Sequence, residues 1–222
     1  MNIATHQPAS LKIESVFDKT DSVTLVVGLQ KHELLAHAKF ITLTSDFFKT
    51  ALKKEWLEVQ TRVIHLPEEN VPAMVIYLKF IYTGQLPVYE TYINSPAAMS
   101  HHEIMYVIHV RLYALAHRLM DNTTKNAALR EMCKAFMECR SRCGHNREAS
   151  PDFGSVNMIY LNTVGGDPAR RLMVDMHMTF LRSLSPQYVA ALLLDLAQGY
   201  IKRALNKLPH GSKYFDVNSY MV

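Results

Sequence analysis

The stretch RVIHLPEENVPAMVIYLKFIYTG, Arg62–Gly84, changes its period in the middle. Arg62 to Leu66 alternates as a strand does, and Pro67 ends the run because proline cannot donate to a ladder. Val71, Val75, Leu78 and Ile81 then recur at offsets of four, seven and ten, which predicts an amphipathic helix stopped by Thr83-Gly84. A strand that passes straight into a helix belongs to a mixed fold.

Towards the N-terminus, Ser22 to Val27 reads as a strand rich in Val and Leu. Gly28 to Gln30 supplies the turn and Lys31 to Leu35 a second strand, completing a hairpin. Ser45 can cap a short helix in which Phe48 and Leu52 share a face, with Ala51 beside them. Beyond Gly84, a turn-rich loop over 85–100 precedes a long helix carrying Ile104, Met105, Ile108, Leu112, Leu115, Ala116 and Leu119. A further helix, about Thr123 to Arg142, lines up Ala128, Met132, Ala135, Phe136, Cys139 and Cys143.

The polar run from His145 to Gly154 interrupts this periodicity and reads as a linker. Asp167-Pro168 and Ser185-Pro186 each place a capping residue before proline, as at a helix start. Leu172, Met176, Phe180 and Leu184 follow the first; Val189, Leu193, Leu196 and Tyr200 follow the second. The expected fold class is therefore α+β, a small sheet covered by a cluster of helices, with an all-helical C-terminal extension. The division is a leader over 1–20, a mixed domain over 21–120 and helices over 121–222. Residues 21 to about 142 are expected to fold as a unit, because a hairpin alone is too small to be stable.

Of the 222 residues, 49% are hydrophobic and 20% charged, a composition that can bury a core. No apolar run approaches the roughly 18 residues that span a bilayer, and Met1 to Ser10 lacks a signal-peptide layout. Three cysteines, Cys133, Cys139 and Cys143, are an odd number and suggest reduced thiols, hence a cytoplasmic or nuclear protein with no membrane partner. The net charge of +4 is spread along the chain, so no nucleic-acid partner is expected.

Motifs for bond chemistry are missing from the sequence. Cys139, Cys143 and His145 do not have the spacing of a compact zinc knuckle, and the cysteines continue an apolar stripe instead. His101-His102-Glu103 would need a histidine at 106 to form a zinc-protease helix, where Tyr106 stands. No nucleophile elbow, phosphate loop or dinucleotide fingerprint appears, and Gly165-Gly166 reads as a turn before the Asp167 cap. The expectation is no catalytic residue, no metal and no cofactor.

Several segments in fixed order resemble the BTB/POZ family, and in particular its short fungal members without kelch, MATH or zinc-finger modules. Val23-Thr24-Leu25-Val26-Val27-Gly28 is similar to the family's opening strand, and His37, Ser45 and Phe48 resemble landmarks at its first helical pair. Arg62 to Glu68 and Tyr77 to Gly84 resemble its strand-to-helix passage and "YTG" ending, and Leu112-Tyr113-Ala114-Leu115-Ala116 its later "LYxLA" helix. Met158-Ile159-Tyr160 to Thr163, then Pro168 to Asp175, resembles an extension of fungal members.

The resemblance implies a protein-interaction module that recruits substrates to a cullin-3 type ubiquitin ligase, or else a self-associating scaffold or transcription-related regulator without cullin. Partners would be a cullin, a client protein and a second copy. Trp56-Leu57-Glu58 resembles the hydrophobic-x-Glu element of cullin-binding adaptors, making Trp56 and Glu58 the candidate contact, against the plainer reading of a core tryptophan and a solvated carboxylate. Only about twenty residues precede the hairpin, where dimeric members carry a longer swapped segment. Ser22 and Ala38 stand where corepressor-binding members place an acid and a base, which implies that this charged pocket is absent.

Overall fold

Strand β1, Ser22–Val27, is the middle of a three-stranded sheet. It pairs antiparallel with β2, His32–His37, and parallel with β3, Val63–Leu66, in the order β2-β1-β3. Being central, β1 buries Val23, Leu25, Val26 and Val27, with Leu25 facing Leu34 on one side and Ile64 on the other. The computed structural model describes residues 21–53, 61–86, 101–143, 151–179, 190–205 and 217–222.

Helices α1, Ala38–Thr44, and α2, Asp46–Ala51, follow β2 and break at Ser45, whose backbone is extended. Ser45 caps α2 as expected: its side-chain oxygen accepts from the Phe48 N–H at 3.2 Å. Helix α3, Val71–Thr83, ends at Gly84, which adopts the left-handed conformation (φ 68°) that lets its N–H reach the Phe80 carbonyl. Then come α4, His101–Arg118; α5, Asn122–Cys143; α6, Phe153–Asn162; α7, Pro168–Thr179; α8, Ala190–Leu205; and a 3₁₀ turn, Val217–Tyr220. Among the described residues no helix is long and apolar enough to cross a membrane.

Three sequence expectations are corrected. The core face of α3 is Ala73, Met74, Ile76, Tyr77 and Leu78, whereas Val75, expected inside, is 48% exposed. Nearly every side of this helix is apolar, so spacing alone does not select the face that meets the sheet. Among the described side chains of α8 the buried ones are Leu192 and Leu196, whereas Leu193, expected with them, is 37% exposed. Gly199 joins that face, where an added Cβ would meet the Met178 sulfur of α7 at 2.8 Å. The linker also ends early: Asp152 is the N-cap of α6, accepting from the Ser155 N–H at 3.0 Å, and Gly154 is helical. The helix start expected at Ser185-Pro186 lies outside the described residues.

One apolar core runs from the sheet through α4 and α5 to α7 and α8. Helix α4 is its axis, with Leu112, Tyr113 and Leu115 fully buried and Leu119 buried just after it. Tyr106 donates to the sulfur atoms of Met173 at 3.3 Å and Met176 at 2.9 Å, tying α4 to α7.

Cys133 of α5 sits in this core, and burial pushes its thiol up to about 12, so it is protonated at neutral pH. Cys139 and Cys143 lie on α5, but their side chains are outside the described residues. In a chain with those two changed to serine, Cys133 should react with a thiol reagent at least about tenfold more slowly when native than in denaturant. Equal rates in the two conditions would show that the thiol is accessible.

Candidate protein-docking surface

The segment carrying Trp56 and Glu58 falls between α2 and β3, and both residues lie outside the described residues. Earlier in the sequence, the described residues of α1 and α2 meet a buried polar corner. Asp121, fully buried between α4 and α5, is its central group. One carboxylate oxygen accepts from the Thr124 N–H at 3.0 Å, capping α5. The other accepts from the hydroxyls of Thr44 at 2.7 Å, Tyr77 at 3.0 Å and Thr124 at 2.8 Å. Burial, then the Asp121 charge, pushes the Tyr77 hydroxyl well above the ordinary phenol range, so it remains a donor.

The α1–α2 break rests on the same corner. Ser45 donates its hydroxyl to the Leu119 carbonyl at 2.6 Å, while the N–H groups of Asp46 and Phe47 point to the carbonyls of Met120 and Leu119 at 3.4 Å each. Met120 takes a left-handed backbone (φ 51°) to make this turn and leaves its side chain half exposed. One carboxylate thereby fixes α1, α3 and α5, and through the adjoining turn α2. Fully satisfied buried polar groups of this kind specify one arrangement.

A second buried carboxylate, Asp167, lies before α7. It caps that helix at the Ala169 N–H (2.9 Å) and accepts from the Tyr113 hydroxyl of α4 at 2.7 Å. Its other oxygen is 3.9 Å from the Lys125 ammonium, itself buried and 5.4 Å from the centre of the Tyr113 ring. His117 approaches the same oxygen at 3.6 Å. Nearby, Arg118 grips both carboxylate oxygens of Glu69 in the β3–α3 turn and also donates to the Asn162 side chain of α6. The helices after residue 121 are thus bolted to the sheet-bearing half by charge-assisted bonds.

Two histidines make this assembly sensitive to acid. Burial, then Lys125 and, more weakly, Arg118, holds His117 below its ordinary value against the opposing pull of Asp167. Burial also lowers His177, whose Nδ1 pairs with the Met173 carbonyl at 2.8 Å. Between their lowered folded values and about 6.5 the unfolded chain binds protons that the folded chain refuses, so stability must fall as pH drops through that window. Urea midpoints measured from pH 8 to 5 should decrease on acidification, and a His117→Gln, His177→Gln protein should show a shallower decrease. A midpoint flat across the window would contradict the assignment.

The surface beside these corners carries large apolar side chains. Leu35 on β2 and Leu43 on α1 are 66% and 64% exposed, and Tyr82 packs near Phe40 and His37. Tyr82 holds the His37 backbone N–H at 2.9 Å, giving His37 a structural place at the β2–α1 junction. An open depression of about 630 Å³ separates the β1–β2 turn from the β3–α3 turn, lined by Leu29, His32, Pro67 and Glu68. Of this constellation, sequence reading identified Ser45 and the Asp167 cap. It missed Asp121, although Asp121-Asn122-Thr123-Thr124 has the form of a helix cap.

A family model described as BTB/POZ domain matches residues 14–118. No curated protein matches the chain. The matched span closes at the end of α4, and the α+β class with a small sheet, covering helices and a helical remainder is the fold observed.

Proposed function

We propose, taking residues 14–118 as a BTB/POZ domain, that this protein binds other proteins without catalysing a reaction and serves as a substrate-recruiting adaptor for a cullin-3 type ubiquitin ligase. The domain match carries the reading, since such domains are protein-interaction modules. In this reading residues 21–120 engage the ligase, the helices over 121–222 hold a client, and proximity raises the client's effective concentration. The setting is the cytoplasm or nucleus.

Trp56 and Glu58, which lie between α2 and β3 in the sequence, are the proposed cullin contact. Trp56→Ala with Glu58→Ala should weaken cullin binding by about 2 kcal/mol or more if Trp56 is an interface anchor. Glu58→Ala alone should leave the thermal transition in place while reducing affinity. Unchanged affinity in folded Glu58→Ala protein, or no cullin binding by the parent chain, would reject the adaptor reading. The second reading is a self-associating scaffold or transcription-related regulator, favoured by the exposed Leu35 and Leu43. Light scattering across a dilution series tests the self-association, and the presence or absence of cullin binding separates the two readings.

A further inference from the structure

The segment Val217–Val222 is held in a cleft between α5 and α7 by contacts of the kind that recognise a peptide. Asn126 of α5 uses both ends of its amide, donating to the Val222 backbone oxygen and accepting from the Val222 N–H, each at 2.8 Å. Arg171 of α7 donates to the Ser219 carbonyl at 3.3 Å. These three bonds read backbone and carry little side-chain information.

Specificity comes from Tyr220. Its ring is buried, its hydroxyl donates to Asp175 of α7 at 2.6 Å, and the Arg171 guanidinium lies 5.9 Å from its centre. Val217 and Met221 pack more shallowly against the same core. A buried tyrosine whose hydroxyl meets a partly buried carboxylate, flanked by side chains that clamp backbone, has the elements of a peptide-recognition site. Eleven positions separate Leu205 from Val217 in the sequence, so the segment is covalently part of the same chain as its cleft.

We propose that the α5–α7 cleft is a docking site for a peptide segment bearing a tyrosine followed two residues on by an aliphatic residue, and that Val217–Val222 occupies it in cis as a gate. The partner is a protein presenting such a segment in extended or 3₁₀ form. Its tyrosine must be unmodified, because a phosphate would face the Asp175 carboxylate. A tethered occupant competes at an effective concentration near the millimolar range, so a partner enters only when the cis segment is weakened or its own segment binds more tightly. This site is independent of whether a cullin is bound.

The test uses the full chain and a labelled peptide of sequence VNSYMV. Tyr220→Ala removes the cis anchor and Tyr220→Phe only its bond to Asp175, and both leave the cleft's own side chains in place. Both proteins should bind the peptide more tightly than the parent, which keeps its own segment in place, the alanine variant at least about tenfold. Asp175→Asn added to the Tyr220→Ala chain, or phosphotyrosine in the peptide, should abolish that gain. Binding to the variants no tighter than to the parent, or binding indifferent to Asp175, would overturn the proposal. Unfolding of both single variants would overturn it as well, because the segment would then be part of the fold and not an exchangeable occupant.

Discussion

Asp121→Ala should lower the folding free energy by about 3–5 kcal/mol, among the largest effects expected of a single substitution in this chain. The carboxylate is fully buried and serves four donors: the hydroxyls of Thr44, Tyr77 and Thr124 and the Thr124 N–H. Alanine leaves these donors without their shared acceptor, and each buried donor left unmade costs about 1–3 kcal/mol. Tyr77→Phe removes a single donor and should cost only about 1–2 kcal/mol. In the double mutant the two losses should fall short of additive, because the Tyr77 hydroxyl has no bond left to lose once the carboxylate is gone. Urea unfolding measures all three. A loss below about 1 kcal/mol for Asp121→Ala would show that the corner rearranges to satisfy its donors.

Asp167→Ala should cost a similar 3–5 kcal/mol, by a different route. Here the loss includes the α7 cap and the Tyr113 bond, but the main cost is the Lys125 ammonium, left buried without its carboxylate. Lys125→Met in the Asp167→Ala background should therefore recover more than about 1 kcal/mol, because a paired charge can be replaced by apolar volume at little cost. No recovery would place the cost in the cap and the tyrosine bond instead. The near-ultraviolet signal of the tyrosines should report loosening of α7 from α4 before global unfolding in Asp167→Ala.

These two carboxylates mark where sequence reading stops. Local periodicity and breakers delimited β1 at Ser22–Val27, ended α3 at Gly84 and placed the Ser45 cap, because each is written within a few neighbouring residues. The Asp167 cap was legible for the same reason. Its bond to Tyr113 was not, since the partner lies 54 positions earlier and only the packing of α4 against the α6–α7 turn brings them together. Faces failed where helices are apolar on several sides, as with Val75 on α3 and Leu193 on α8. The candidate contact residues Trp56 and Glu58 came from family resemblance and not from periodicity, and they lie outside the described residues.

The Asp121 corner also orders events while the chain is being made. Its carboxylate stands 77 positions after Thr44 and 44 after Tyr77. At about 5–20 residues per second, a ribosome emits Thr44 roughly 4–15 s before Asp121. Hairpins and helices form in microseconds, so β1, β2 and the first helices have long since had time to condense when their shared acceptor arrives. During that interval the Tyr77 and Thr44 hydroxyls and the apolar face awaiting α4 remain uncovered, which defines a window for chaperone capture. A nascent chain halted before Asp121 holds the whole sheet in its sequence yet lacks the group that locks the helices around it.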